Sequence, residues 1–250
     1  MDIFAKAIVT DGAGHFELDE VELGVPKQGE ILIEIRASGV CHTDYDSMSW
    51  NRRMIMGHEG AGVVLACGDG IDRVKPGDRV LLNWAIPCGD CFQCRAGAEK
   101  ICEQRASVPN ERFRCGELPI NASFNLGTMA THAIVPRKAV VRIDIDIPFP
   151  FAAILGCGVM TGFGSVVTAA KVDKGSSVVV LGTGGVGLSV IQGAVHACAG
   201  MIIAVDVNPG RLELARRFGA SHTILAARED IGLRFFPETK NVALEDVKLN

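Results

Sequence analysis

Apolar and polar positions follow two different rhythms along this chain, with the change near residues 148–150. Before that point the apolar runs are short and separated by Gly, Pro and Asp. Residues 30–37 alternate as a half-buried strand does, and residues 60–66 and 79–84 are brief apolar runs. Lys75-Pro76-Gly77-Asp78 reads as the turn leading into the last of these. Residues 133–135 and 140–143 continue the pattern, which predicts a strand-rich first part. After the change, residues 176–181 form one continuous β-branched run, predicting a strand buried on both faces of a parallel sheet. A glycine-rich turn and a helical stretch over residues 185–198 follow. Then come a second buried strand over 201–205, a second helix over 209–218 and a third strand over 222–225. Strand, helix, strand, helix, strand is one mononucleotide-binding half of a doubly wound domain.

Composition narrows the picture modestly. The 250 residues suffice for one large or two small domains, and 48% hydrophobic residues with 29 glycines describe a globular chain rich in turns. A net charge of −4 supplies no basic field for nucleic acid or an anionic membrane, so neither partner is expected. The first residues lack a basic and apolar leader pattern, and the longest apolar stretch is interrupted by glycines. No signal peptide and no spanning helix are therefore expected. A cytoplasmic location follows from that reading, in which the 9 cysteines are metal ligands plus spare thiols. Cys67, Cys115 and Cys198 are the expected spares.

Four cysteines crowd one segment: Cys88, Cys91, Cys94 and Cys102, with Gly89 and Gly97 among them for tight turns. Four thiolates at this density can close a tetrahedral site around zinc, and a closed all-thiolate site is structural. An iron–sulfur cluster is the main rival. Its Cys-x2-Cys-x2-Cys run places the fourth Cys three residues on, before Pro, whereas Glu103 follows a longer gap here.

The turn Gly182-Thr183-Gly184-Gly185-Val186-Gly187 matches G-x-G-x-x-G. Alone the pattern is weak, but here it follows a predicted strand, opens a helix, and has Asp206 about 20 residues on. Gly182 permits the tight turn, Gly184 lets a pyrophosphate approach the helix N-terminus, and Gly187 lets helix and strand pack closely. Asp206 would accept the adenosine ribose hydroxyls and repel a 2′-phosphate, which favours NAD over NADP.

A dispersed constellation remains: Cys41-His42-Thr43-Asp44, Gly57-His58-Glu59 and Gly156-Cys157-Gly158. Two thiolates and one imidazole would leave a fourth zinc position open, as catalysis requires, with Asp44 and Glu59 as carboxylates orienting the ligands. Read singly, each is more readily a buried thiol or a satisfied imidazole, because no spacing rule links positions this far apart. His15, His132, His196 and His222 have no motif partners and read as ordinary surface or core residues.

Taken together, these motifs resemble the zinc-dependent medium-chain alcohol dehydrogenases, from about residue 3 to about residue 228. The resemblance implies a GroES-like catalytic domain over residues 1–152, then a Rossmann domain, incomplete here, over 153–228 and a short tail over 229–250. It further implies two zinc ions per chain and NAD. Cys41, His58 and Cys157 match the catalytic zinc ligands and Glu59 the nearby carboxylate, while Cys88, Cys91, Cys94 and Cys102 match the structural site. Thr43 matches the hydroxyl that meets the substrate oxygen and starts the proton relay. His42 matches a pyrophosphate contact, Thr161 lies near the nicotinamide position, and Arg211 matches the basic residue near the ribose. Trp84 falls where the family puts a pocket-lining ring. The implied substrate is a small-molecule alcohol or aldehyde, with homo-oligomers usual in the family. A glutathione adduct of formaldehyde as substrate and a non-catalytic zinc-binding remnant are the alternatives.

Three features depart from the family pattern. Asp46 stands where a relay histidine is often found. The interval from Cys41 to His58 is short. The family chain also continues well beyond residue 228, through the nicotinamide-binding half. Residues 231–236 are apolar, but residues 237–241 look like a loop and no second half fits. The expectation is an exposed edge at residues 176–181, self-association and slow turnover.

Overall fold

A computed structural model describes residues 3–103 and 113–226. The tail over 229–250, with its apolar run at 231–236, lies outside the described residues. The chain divides into two compact units, one ending at Cys157 and the other beginning at Gly158.

The first unit is built from β-structure. Strands β1 (Phe4–Thr10), β2 (Phe16–Glu22) and β3 (Glu30–Gly39) precede a short helix α1 (His42–Ser47). Strands β4 (Met54–Ile55), β5 (Glu59–Cys67) and β6 (Arg79–Leu82) follow, then the one-turn helix α2 (Phe92–Arg95). Strands β7 (Phe113–Cys115), β8 (Leu118–Ala122), β9 (His132–Pro136) and β10 (Val140–Arg142) complete it. β1, β2, β7, β8 and β4 close into a barrel, and β10-β6-β5-β3-β9 form a five-stranded sheet. Alternation explains both cores. Ala5, Ala7 and Val9 of β1 point inward with Val21, Phe113 and Ile120, whereas Ile31, Ile33, Val64, Val80, Leu82 and Val135 fill the sheet's core. The expected turn at residues 75–78 is present: the Asp78 N–H donates to the Lys75 carbonyl at 3.1 Å, with Gly77 at φ 93°.

The helical run Phe149–Ala170 alone among the described helices is long and apolar enough to cross a membrane. This corrects the expectation drawn from its glycines, which sit inside helical turns and do not break them. The run begins as α3 (Phe149–Ile154), whose Ala152 and Ala153 pack on Ala61 of β5, so this part serves the core. It then widens into a π-turn over Leu155–Val159 that carries Cys157.

The second unit continues with α4 (Met160–Gly164) and a further π-turn over Ser165–Ala170. Strands β11 (Ser177–Leu181), β12 (Met201–Asp206) and β13 (His222–Leu225) form a parallel sheet in the order β11-β12-β13. Helices α5 (Gly185–His196) and α6 (Pro209–Arg217) connect them. Val166, Val180, Ile191, Ala204, Leu212 and Ala215 share one core. β12 is buried almost throughout, as its position in the middle requires. β11 is not: Val180 is buried but Val179 and Leu181 are exposed, because β11 is the edge strand of the described sheet. The reading of a strand buried on both faces fails here, and the expected exposed edge is found.

Candidate metal and coenzyme sites

Cys88, Cys91, Cys94 and Cys102 bring their sulfurs within 4.8 Å of one another. The Cys88–Cys94 and Cys91–Cys102 sulfur pairs are each 3.9 Å apart, and all four cysteines are free thiols. Four sulfurs tetrahedral about one zinc at ~2.3 Å stand about 3.8 Å apart, so the cluster already has the spacing of the metal. Backbone amides reinforce it. Asp90 and Cys91 N–H groups donate to the Cys88 sulfur at 3.4 and 3.3 Å, and Cys94 N–H donates to the Cys91 sulfur at 3.4 Å. Cys91 is the N-cap of α2, and the amides of Cys94 and Glu103 pull its thiol down to about 6. Burial pushes Cys94 up to about 12, which leaves a metal-free lobe with unequally acidic thiols.

A second cluster joins Cys41, His58, Glu59 and Cys157, whose ligand atoms also lie within 4.8 Å of one another. Four local devices assemble it. Cys41 is the N-cap of α1, where its N–H donates to Asp44 Oδ2 at 2.9 Å. The other Asp44 oxygen lies 2.8 Å from His58 Nδ1. A donating Nδ1–H leaves the Nε2 lone pair toward the cluster, where Cys157 Sγ is 3.4 Å away. Glu59 opens β5 opposite Gly39, at which any Cβ would strike the Glu59 carboxylate. Gly156 approaches β6 so closely that a Cβ would meet the Leu82 carbonyl, and this sets the neighbouring Cys157 against the sheet.

The electrostatics suit a cation. Burial opposes charge on His58, but the hydrogen bond and negative charge of Asp44 outweigh it and hold the ring's pKa above its ordinary value. Burial, helped by Cys41 and Glu59, pushes the Cys157 thiol up. Groups that hold their protons in the bare cluster are those a divalent ion would deprotonate. Thr43 is half-buried in the first turn of α1, whereas His42 and Asp46 are exposed and pair with each other across one helical turn at 3.7 Å.

In the second unit, Gly182 takes φ 83° and Gly184 is the N-cap of α5. A Cβ on Gly187 would collide with the Gly182 carbonyl, so the turn closes only with glycine there. Gly185, Val186 and Gly187 begin α5. Asp206 ends β12 with Oδ2 accepting from Thr183 N–H at 2.7 Å and from Thr183 Oγ1 at 3.1 Å. Its Oδ1 accepts from Asn208 N–H at 2.9 Å, and Arg211 stands 4.0 Å away. The Thr183 amide is the main cause that depresses the Asp206 pKa. Thr161 lies exposed in α4, beside Gly162, where a Cβ would strike the Val186 carbonyl of α5.

Residues 27–145 match the alcohol dehydrogenase GroES-like domain. Over 234 residues the chain is 39% identical to an S-(hydroxymethyl)glutathione dehydrogenase of Escherichia coli (O1:K1 / APEC), covering 88% of this chain and 63% of that protein. Its fold is similar to an alcohol dehydrogenase zinc-binding domain protein from Burkholderia ambifaria, with a TM-score of 0.86 and 31% identity across 92% of this chain and 66% of that one. Benzyl alcohol dehydrogenase from Acinetobacter calcoaceticus follows, with a TM-score of 0.82 and 33% identity across 91% and 65%. The chain carries the GroES-like domain of alcohol dehydrogenases. It spans about 63% of the length of the curated relatives it matches.

In this alcohol dehydrogenase-like chain the dispersed cysteines and histidine do come together, although their spacing in sequence offered no reason for it. Three features were not legible as functional. Thr183 was only the variable position of a glycine motif. Gly39 gave no hint of making room for Glu59. Phe124 adopts φ 51°, rare for a bulky residue, and sets its ring against His58 at 4.9 Å and Trp84 at 5.4 Å, with Trp50 at 6.0 Å. Its only sequence signal was an aromatic residue within the polar stretch 121–125.

Proposed function

We propose that this chain carries the machinery of an NAD-dependent zinc oxidoreductase that interconverts an alcohol and its aldehyde or ketone. The observation that carries the reading is the Cys41–His58–Glu59–Cys157 cluster, with its ligand atoms inside 4.8 Å and Asp44 orienting the imidazole. Cys41, His58 and Cys157 would hold a catalytic zinc, which supplies Lewis acidity to the substrate oxygen. Glu59 is the fourth donor of that set, a carboxylate. Cys88, Cys91, Cys94 and Cys102 would hold a structural zinc.

The remaining work belongs to side chains. The Thr43 hydroxyl accepts the alcohol's proton and hands it outward, and Asp46 on the exposed face of the same helix is the carboxylate through which it leaves. His42, one residue from Cys41, would offer a ring N–H to a coenzyme phosphate. In the second unit the turn of Gly182, Gly184, Gly185, Val186 and Gly187 would take the coenzyme pyrophosphate at the α5 N-terminus. Asp206 and Arg211 flank the ribose position, Thr161 serves the nicotinamide side, and NAD supplies the hydride acceptor.

Trp84 and Phe124 beside His58 favour a primary alcohol with a bulky or aromatic group. The glutathione adduct of formaldehyde is the second reading, supported by the name of the Escherichia coli relative. NADH formation from ethanol and benzyl alcohol, and from formaldehyde with and without glutathione, tests both. Dependence on glutathione selects the second reading, and no NADH from any of them by zinc-loaded protein overturns the proposal.

A further inference from the structure

Thr183 occupies the variable position of the glycine turn, yet it makes two of the three hydrogen bonds that the Asp206 carboxylate accepts among the described residues. Its side chain is 1% exposed, so no water competes for the hydroxyl, which is committed to Asp206 Oδ2 at 3.1 Å. An ionised carboxylate offers about four lone-pair positions. Thr183 fills both on Oδ2, and Asn208 N–H takes one on Oδ1 at 2.9 Å. Among the described residues one acceptor position is left, and it lies on Oδ1. Arg211, 4.0 Å from Oδ2, balances the carboxylate from an exposed position on α6.

We infer that Thr183 is the positioning residue for coenzyme selection: its hydroxyl pins one oxygen of Asp206 so that the other is presented, ionised, to a ribose hydroxyl. The inference rests on the reading that this turn takes NAD. It goes further in making Asp206 a single-point acceptor whose selectivity is set from the glycine turn. The Thr183 and Asn208 amides place one bond on each oxygen of a carboxylate whose terminal torsion is broad without partners. That torsion is narrowed further by the hydroxyl. Losing it weakens the ribose contact and the repulsion of a 2′-phosphate together, so NAD and NADP are affected in opposite directions.

The test compares Thr183→Val, which keeps shape and loses the hydroxyl, with Thr183→Ser, which keeps the hydroxyl. Dissociation constants for NAD and NADP are measured by calorimetry on zinc-loaded protein. The expected result is that the NADP-to-NAD ratio shrinks about tenfold in Thr183→Val, the scale of one hydrogen bond to a charged group, and stays near wild type in Thr183→Ser. A turn that merely loosened would weaken both coenzymes alike and leave the ratio unmoved; that outcome overturns the inference. Wild-type protein that binds neither coenzyme would overturn the NAD reading itself. Thr183 is then judged on the coenzyme-free chain by following the Asp206 carboxyl titration by NMR. Val should raise its midpoint and Ser should not, and identical titration in all three proteins sinks the inference.

Discussion

At the scale of single residues, Asp44 governs the open metal cluster without being one of its donors. It caps α1 through Cys41 N–H and fixes His58 through Nδ1, so one carboxylate sets the position of two ligands. Asp44→Asn keeps a capping oxygen but loses the charge. It should weaken zinc at this cluster about 10–100-fold, the usual effect of removing a carboxylate behind a histidine ligand, as read by competition with a chelator. Zinc affinity within a factor of two of wild type would show that the pairing is incidental. Asp206 gives a second residue-level outcome, in pH. Its folded pKa lies below that of the unfolded chain, about 3.9, so its contribution is complete above that value and is lost as pH falls through the folded pKa. The urea midpoints of wild type and Asp206→Asn should therefore converge as pH drops below about 4. A constant gap across that range would mean the depressed pKa does not contribute. Phe124 tests strain directly. Asn tolerates a left-handed backbone better than Ala, so Phe124→Asn should be less destabilised than Phe124→Ala, by up to about 1 kcal/mol in thermal unfolding.

At the scale of elements, the sequence shows most where a rhythm is clean and bounded. β3, β5 and the strands of the parallel sheet were legible because alternation or a β-branched run ended at Gly, Pro or Asp. The barrel was not. β2 reads Phe-Glu-Leu-Asp-Glu-Val-Glu and fully buries only Val21, and β4 is two residues long, so neither carries a period. Closure of β1-β2-β7-β8-β4 is a long-range event that local pattern does not announce. The metal clusters divide the same way. The cysteine lobe is local, with α2 starting at Cys91, and its spacing alone identified it. The open cluster draws on α1, β5 and the π-turn of Leu155–Val159, and only a family resemblance foretold it. Close glycines are where elements meet, and Gly187→Ala is the sharpest test: its Cβ would overlap the Gly182 carbonyl. The turn must open, and NAD binding should fall while the far-UV spectrum stays near wild type. Undiminished NAD affinity would show that the turn yields at no cost.

At the scale of the whole molecule, two ligand sets with different tasks imply two separable losses. Among the described residues the lobe of Cys88, Cys91, Cys94 and Cys102 has no core other than its own sulfurs, so zinc binding there would be part of its folding free energy. The open cluster leans on a sheet already packed through Ile33, Val80 and Leu82, and its residues keep their places by caps and hydrogen bonds. Native protein should contain two zinc ions, one for each cluster. Gentle chelation should remove the zinc of the open cluster first, leaving secondary structure and thermal midpoint nearly intact. Only the second loss should bring unfolding. Cys41→Ser should reproduce the first state, folded with one zinc, and Cys91→Ser should lower the thermal midpoint by many degrees, because deleting one thiolate opens the lobe. Metal analysis beside circular dichroism reads both. Simultaneous loss of the two ions, or equal destabilisation by the two substitutions, would mean that the clusters share one structural role and that the open set is not held for chemistry.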